Sequence, residues 1–316
     1  MPDIWNHVRR AVDDIGKPGQ FILTGSTAAS EDVARHSGAG RMSRPGPASR
    51  LHDSELIDWL CIGGWPAHVD APVTDAQAAH RAYLAELGRV DMRVVDSVRR
   101  DPQRVQRVQR VLRSLARNIS TEAEITTIAK DTSLPPDGAA VGRLTVDDYL
   151  DALARLMITE DLGAWTPSLR SKARLRTRPV RHLADPCLAV AALRATPKAL
   201  LADWNYTSLL FENMALRDVR VYLDATGGTT YHYRDSNGLE VDIIAELDDG
   251  RWGAIEVKLG ENHIEDGAES LAQFARTVNL RSAGQPSFLA VLTGANIYAT
   301  RRPDGIDVIP IAALGP

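Results

Sequence analysis

The chain has 316 residues, 44% of them apolar and 25% charged, with a net charge of −4. That is ordinary globular composition, and at roughly 150 residues per domain it predicts two or three domains. It excludes a collagenous or disordered chain, and the slightly acidic balance excludes a global field that would hold the protein on nucleic acid or an anionic membrane.

Along the chain, Ile4, Trp5, Val8 and Val12 fall at helical spacing. Gly16, Pro18 and Gly19 break that pattern, and Phe21-Ile22-Leu23 reads as a short buried strand ended by Thr24-Gly25-Ser26. Residues 43–49 are loop by composition. Asp53 or Ser54 is placed to cap a helix through Leu60, and Gly63-Gly64-Trp65-Pro66 stops it. Residues 75–92 and 102–118 read as two further helices.

Residues 104–185 carry the pattern of a winged helix. Val105, Val108, Val111, Leu112 and Leu115 form the apolar stripe of its first helix. Ser120-Thr121-Glu122 opens a second helix, with Ile125, Ile128 and Ala129 inward. Thr145 caps a third, whose inner face is Val146, Tyr149, Leu150, Leu153 and Leu156. Met157 to Leu162 and Val180 to Ala184 are its short strands. The wing between them is basic: Arg170, Lys172, Arg174, Arg176, Arg178 and Arg181 lie within twelve residues. Such a wing is suited to phosphate contact, and DNA is the partner it suggests. The helix before it adds Arg104, Arg107, Arg110, Arg113 and Arg117, and a solvated face is the plainer account of both.

From Asp185 the texture changes. Short helices at 188–193 and 198–204 precede a longer one from Thr207 to Leu223. Strands follow near 229–234, 239–247 and 252–259, then a helix near 264–281, then strands near 286–293 and 306–310. This is an α/β unit that begins antiparallel and continues through a helical crossover.

Two strands of that unit carry the chemistry. A three-residue loop at Asp248-Asp249-Gly250, with glycine in the left-handed position, pairs Asp242 directly with Glu256. Strict alternation places Leu239, Val241, Ile243, Ala245 and Leu247 on one face. Asp242, Glu256 and Lys258 then point to one face. Opposed carboxylates repel unless a positive charge sits between them, and Mg²⁺ or Mn²⁺ supplies it through oxygen ligands. Lys258 is placed to orient water or stabilise a phosphorane-like charge. Glu212, in the apolar run of the preceding helix, is the candidate to complete the site.

No sequence of the form G-x-x-x-x-G-K-[ST] occurs, so the chain lacks the amide cradle and lysine that hold nucleotide phosphates. Cys61 and Cys187 stand far apart, against a disulfide scaffold or a zinc site. The N-terminus is charged and amphipathic, unlike a signal peptide, and no apolar run approaches the roughly 20 residues of a membrane span. A cytoplasmic protein with no membrane partner is expected.

The order Glu212, Asp242, then Glu256-x-Lys258, on helix, strand and strand, resembles the PD-(D/E)XK nuclease fold. A proline before the aspartate is missing, since Val241 stands there. A longer set of strings (FILTGS at 21–26, RHSGAGR at 35–41, IGGWPA at 62–67, LFEN at 210–213, HYRDSNGLEVD at 232–242, AIEVKLG at 254–260) is similar to the rear part of a bacterial AAA+-type ATPase family. That family joins a P-loop domain, a winged-helix region and a C-terminal domain of unknown function with the nuclease-like fold. The resemblance implies that residues 1–50 are a remnant of the ATPase core without its P-loop. Residues 51–185 would be a helical region with the winged helix, and 186–316 the nuclease-like domain. It implies that Thr24 or Ser26 sits where a γ-phosphate would be sensed and that Arg41 resembles a sensor or finger, although loop roles alone account for all three. The chain then does not hydrolyse ATP by itself and is not expected to bind ATP tightly. The leading expectation is a nuclease-like protein acting on or binding DNA with Mg²⁺. A non-enzymatic assembly or regulatory module, homo-oligomeric or not, stands beside it. So does a fragment that needs a separately encoded P-loop ATPase domain.

Overall fold

A computed structural model describes residues 52–88, 103–134, 139–166, 178–278, 283–294 and 298–314. The expectations for residues 1–50, including Thr24, Ser26 and Arg41, lie outside the described residues, as do Arg170, Lys172, Arg174 and Arg176 of the wing.

The chain is a mixed α/β structure with one open sheet. Its N-terminal half is helical. Helix α1 (Asp53–Ile62) is capped by neither Asp53 nor Ser54; the Glu55 carboxylate instead accepts the His52 backbone N–H at 2.8 Å. Gly63 ends α1 in the left-handed region, at φ 71°, so the chain can turn sharply there. Helix α2 (Val73–Glu86) and helix α3 (Arg104–Arg117) follow. In α3 the buried residues Val108, Val111, Leu112 and Leu115 recur at three- and four-residue spacing, which gives one apolar face among the arginines.

Two expected helix starts fall elsewhere. Ser120 to Glu122 opens no helix: the Ser120 N–H donates to Arg181 O at 2.7 Å and the Arg181 N–H to Thr121 O at 2.8 Å. This backbone pairing with a distant segment outcompetes the local cap, and helix α4 (Ile125–Asp131) begins later. Helix α5 (Arg143–Arg155) starts before Thr145, with Gly142 in the capping position. The segments around 157–162 and 180–184 are held by isolated antiparallel bridges, Thr159 to Leu183 and Leu162 to Val180, and not by full strands.

Helices α6 (Pro186–Leu193) and α7 (Pro197–Ala202) are capped by Asp185 and Thr196, each with proline in the first helical position. Helix α6 packs against α1, α2 and α3. Helix α8 (Trp204–Asp224) then leads to the sheet. Strands β1 (Gly228–Arg234), β2 (Glu240–Leu247) and β3 (Trp252–Lys258) are antiparallel. After helix α9 (Ile264–Thr277), strand β4 (Phe288–Thr293) lies parallel to β3. Strands β5 (Thr300–Arg301) and β6 (Asp307–Pro310) complete the order β1-β2-β3-β4-β6-β5.

The sheet is covered on both faces. Leu210, Phe211 and Met214 of α8 pack with Ile243, Ile255 and Val257, and this core runs on without a break into α1, α3 and α5. Leu271 and Phe274 of α9 pack with Ile244, Trp252 and Ala254 on the other face. Tyr233 and Trp252 lie 4.7 and 5.9 Å from the Phe274 ring, centre to centre, so they are packing residues.

Candidate functional site

The β2–β3 hairpin sets the site. Leu247 N–H donates to Arg251 O at 2.8 Å, enclosing the three-residue loop Asp248-Asp249-Gly250, and Gly250 has φ 84°. Ile243 therefore faces Ile255, the last pair of the ladder, and just beyond it the Asp242 carboxylate takes up the Val257 N–H. On the other side of β2 the register with β1 shifts: Tyr231 pairs with Ile244, but Tyr233 pairs with Val241. This bulge breaks the expected alternation. Val241 packs on the α9 side and Ile243 on the α8 side, although both were expected on one face. Asp242 sits in the bulge, where an extra residue re-aims its side chain.

Four side chains meet there. Lys258 Nζ lies 2.5 Å from Glu256 Oε2 and 3.6 Å from Asp242 Oδ2. Asp242 Oδ2 also accepts the Val257 N–H at 2.7 Å, and Ser270 of α9 donates to Glu256 Oε1 at 3.2 Å. Glu256 is 3% exposed. Gly267 of α9 leaves room for the pair, since a Cβ there would stand 3.1 Å from Lys258 Cγ and 3.4 Å from Glu256 Cβ. Glu212 comes from α8 and feels Asp242, Lys258 and Glu256.

The electrostatics follow from three carboxylates around one ammonium. Burial, then the Asp242 charge, pushes Glu256 up to about 8 against the pull of Lys258. Burial, then Asp242, holds Glu212 well above the usual carboxylate range. Burial pulls Lys258 down, but Asp242 and Glu256 outweigh it and hold the ammonium above its usual range. The cluster has more acid than base, so its glutamates resist ionisation and its ammonium resists deprotonation.

Glu212, Asp242 and Lys258 open onto a cleft of about 710 Å³ between α1, the start of α8 and the end of β3. A smaller opening of about 440 Å³ reaches Asp242, Glu256 and Lys258 from the α9 side. Among the described residues no group of three or more histidine, cysteine or carboxylate side chains is arranged to hold a metal ion. Asp242 and Glu256, which share the Lys258 ammonium, are the residues that could take up an ion of the Mg²⁺ type. Such an ion takes one or two carboxylates and completes its shell with water and substrate phosphate.

Among the described residues, several of the basic side chains are buried or paired. Arg178 pairs with Glu124, and Arg181 with Asp161. In α3, Arg104 is buried and Arg117 pairs with Asp131 at 2.8 Å. On α5, Asp147, Asp148 and Asp151 are exposed together with Arg143 and Arg155, so its outer face is of mixed charge.

Sequence reasoning missed a buried polar network beside the site. Asp185, with no exposed surface, accepts the Gly64 N–H at 2.8 Å, the Cys187 N–H at 2.9 Å and Arg217 Nη1 at 2.8 Å. Arg217 Nε donates to Asp218 at 2.7 Å. Burial alone would raise Asp185, but Arg217 and the two backbone donors hold it below the usual carboxylate range. The only sequence signal was an Arg-Asp pair inside an apolar helix. A second buried node joins His182, Asn213 and Ser120.

The fold and site define a mixed α/β protein whose sheet carries a buried carboxylate–lysine cluster at the end of a hairpin. Residues 53–199 match a domain of unknown function (DUF8612), and residues 208–314 match a second domain of unknown function (DUF4143). No curated protein and no solved structure is a match for this chain.

Proposed function

We propose that Glu212, Asp242, Glu256 and Lys258 form a Mg²⁺- or Mn²⁺-dependent phosphodiester site of the PD-(D/E)XK type. The observation that carries this reading is their convergence: a helix, a bulged strand and its hairpin partner bring three carboxylates around one lysine at the mouth of a cleft. Asp242 and Glu256 hold the cation, and Glu212 completes its surroundings. When bound, the ion polarises a phosphoryl oxygen and lowers the pKa of a water. Lys258 supplies a fixed positive charge for the developing phosphorane, and Ser270 keeps Glu256 in place.

The burial of Arg104 and the pairing of Arg117, Arg178 and Arg181 favour a second role for the helical half, as a contact surface for protein and not a reader of DNA. The strings at 210–213, 232–242 and 254–260 are similar to those of a bacterial AAA+-type ATPase family that carries a P-loop domain. A P-loop ATPase domain is therefore the partner this reading suggests, with ATP turnover residing there and not in the present residues. Among the described residues no helix is long and apolar enough to cross a membrane.

Calorimetric titration of Mn²⁺ at low salt tests the site. Heat of binding is expected for the wild type and not for Asp242→Ala with its circular dichroism unchanged. Absence of heat in the folded wild type would remove the metal reading and leave the assembly role.

A further inference from the structure

The cleft at the carboxylate–lysine set continues along α8. Trp204, Ser208 and Glu212 recur every four residues, so they share one face of the helix, and all three line the cleft. Eight residues of helix separate Trp204 from Glu212, a rise of about 12 Å. Trp204 is 40% exposed, although most large apolar side chains of the chain are buried. Leu56 and Leu259 add apolar wall, and Asn205 and Asn262 add groups that both donate and accept hydrogen bonds. The lining is mostly polar, and Trp204 supplies the broad aromatic face on which a flat heterocycle could lie.

The charges of the cleft narrow the ligand. The carboxylates of Asp53, Asp242 and Glu261 line it, against the cation of Lys258. Such a wall cannot follow a run of phosphates, and it leaves one favourable phosphate position, at Lys258. A duplex, whose bases are stacked inward, offers Trp204 nothing to hold. We infer that Trp204 is the stacking platform for an unpaired nucleobase, and that the substrate class of the site is single-stranded nucleic acid and not duplex DNA. The base on Trp204 and the phosphate at Lys258 would share one cleft, with Trp204 on α8 and Lys258 at the end of β3. This inference rests on the phosphodiester reading of the carboxylate–lysine set.

The test is tryptophan fluorescence with a short oligothymidylate, single-stranded or annealed to oligoadenylate, in Ca²⁺. Wild type, Trp204→Ala and Trp204→Phe are compared, with Mn²⁺ calorimetry run on each preparation. The single strand is expected to quench the wild type, to bind Trp204→Ala on the order of 10-fold more weakly, and to bind Trp204→Phe nearly as well as the wild type by anisotropy of a labelled strand. Equal affinity of Trp204→Ala and wild type, or equal affinity for duplex and single strand, overturns the inference. Asp242-dependent Mn²⁺ heat without strand binding overturns the stacking role and leaves the phosphodiester site standing. Strand binding that depends on Trp204 without Mn²⁺ heat does the reverse.

Discussion

His182 shows how much one side chain of this protein depends on its charge state. It is 2% exposed. The Asn213 amide donates to Leu183 O at 2.8 Å and approaches His182 Nδ1 at 3.3 Å, so Nδ1 is the acceptor and the neutral ring carries its proton on Nε2. That Nε2 meets no partner among the described residues. Burial, then the charges of Arg220 and His232, holds His182 well below the usual histidine range. The folded protein thus refuses a proton that the unfolded chain accepts near pH 6.5. A depressed folded value gives stability that is present above the unfolded value and lost as pH falls below it. His80 and His232 are depressed too, chiefly by burial, and add to the same acid limb. The histidine contribution to the denaturant midpoints is expected to be constant above about pH 7 and to fall below about pH 6.5, against an opposite slope from Glu256, whose raised value favours the folded protein as pH falls. His182→Gln should flatten that fall; a limb of unchanged slope would locate the acid sensitivity in other groups.

At the scale of elements, the hairpin decides whether there is a site at all, because its loop length fixes which residue faces Glu256. Gly250 at φ 84° lets three residues close the turn. Gly250→Ala places a Cβ in the left-handed region and is expected to cost about 1 kcal/mol, with Gly250→Asn losing less. Chemical denaturation of the two variants measures this, and equal losses would mean that the turn does not depend on its backbone conformation. The hairpin was legible in the sequence because its signal is local: an Asp-Asp-Gly turn between two alternating apolar runs. The bulge at Asp242 was not, because a register shift against β1 depends on how Tyr231 and Tyr233 pack, and no residue of β2 announces it. The starts of α4 and α5 were misplaced for a related reason. Ser120 and Thr145 have good capping chemistry, but Ser120 is drawn into pairing with Arg181, and Gly142 already begins α5.

At the scale of the molecule, the sequence separates a helical half from a sheet half, yet the structure joins them through one core and one ionic network. That network could not be read from the sequence: Gly64 and Asp185 are 121 residues apart, and Asp185 and Arg217 are 32 apart. The Asp185 carboxylate binds the turn after α1, the first turn of α6 and the middle of α8 at once. Gly63 stands against it so closely that a Cβ would come 2.6 Å from the carboxylate and 2.6 Å from Cys187 Sγ. Removing the arginine leaves a buried carboxylate with two backbone donors and no counter-charge. Arg217→Met is therefore expected to cost about 3–5 kcal/mol, although methionine fills much of the same volume. For a structure of this size that is a drop on the order of 10 °C in melting temperature. Since the network and the core both cross between the halves, the loss should appear as one shifted transition in calorimetry. Two separated transitions, with only one moved by Arg217→Met, would show instead that the helical half and the sheet half unfold independently and that the Asp185 network serves a single half.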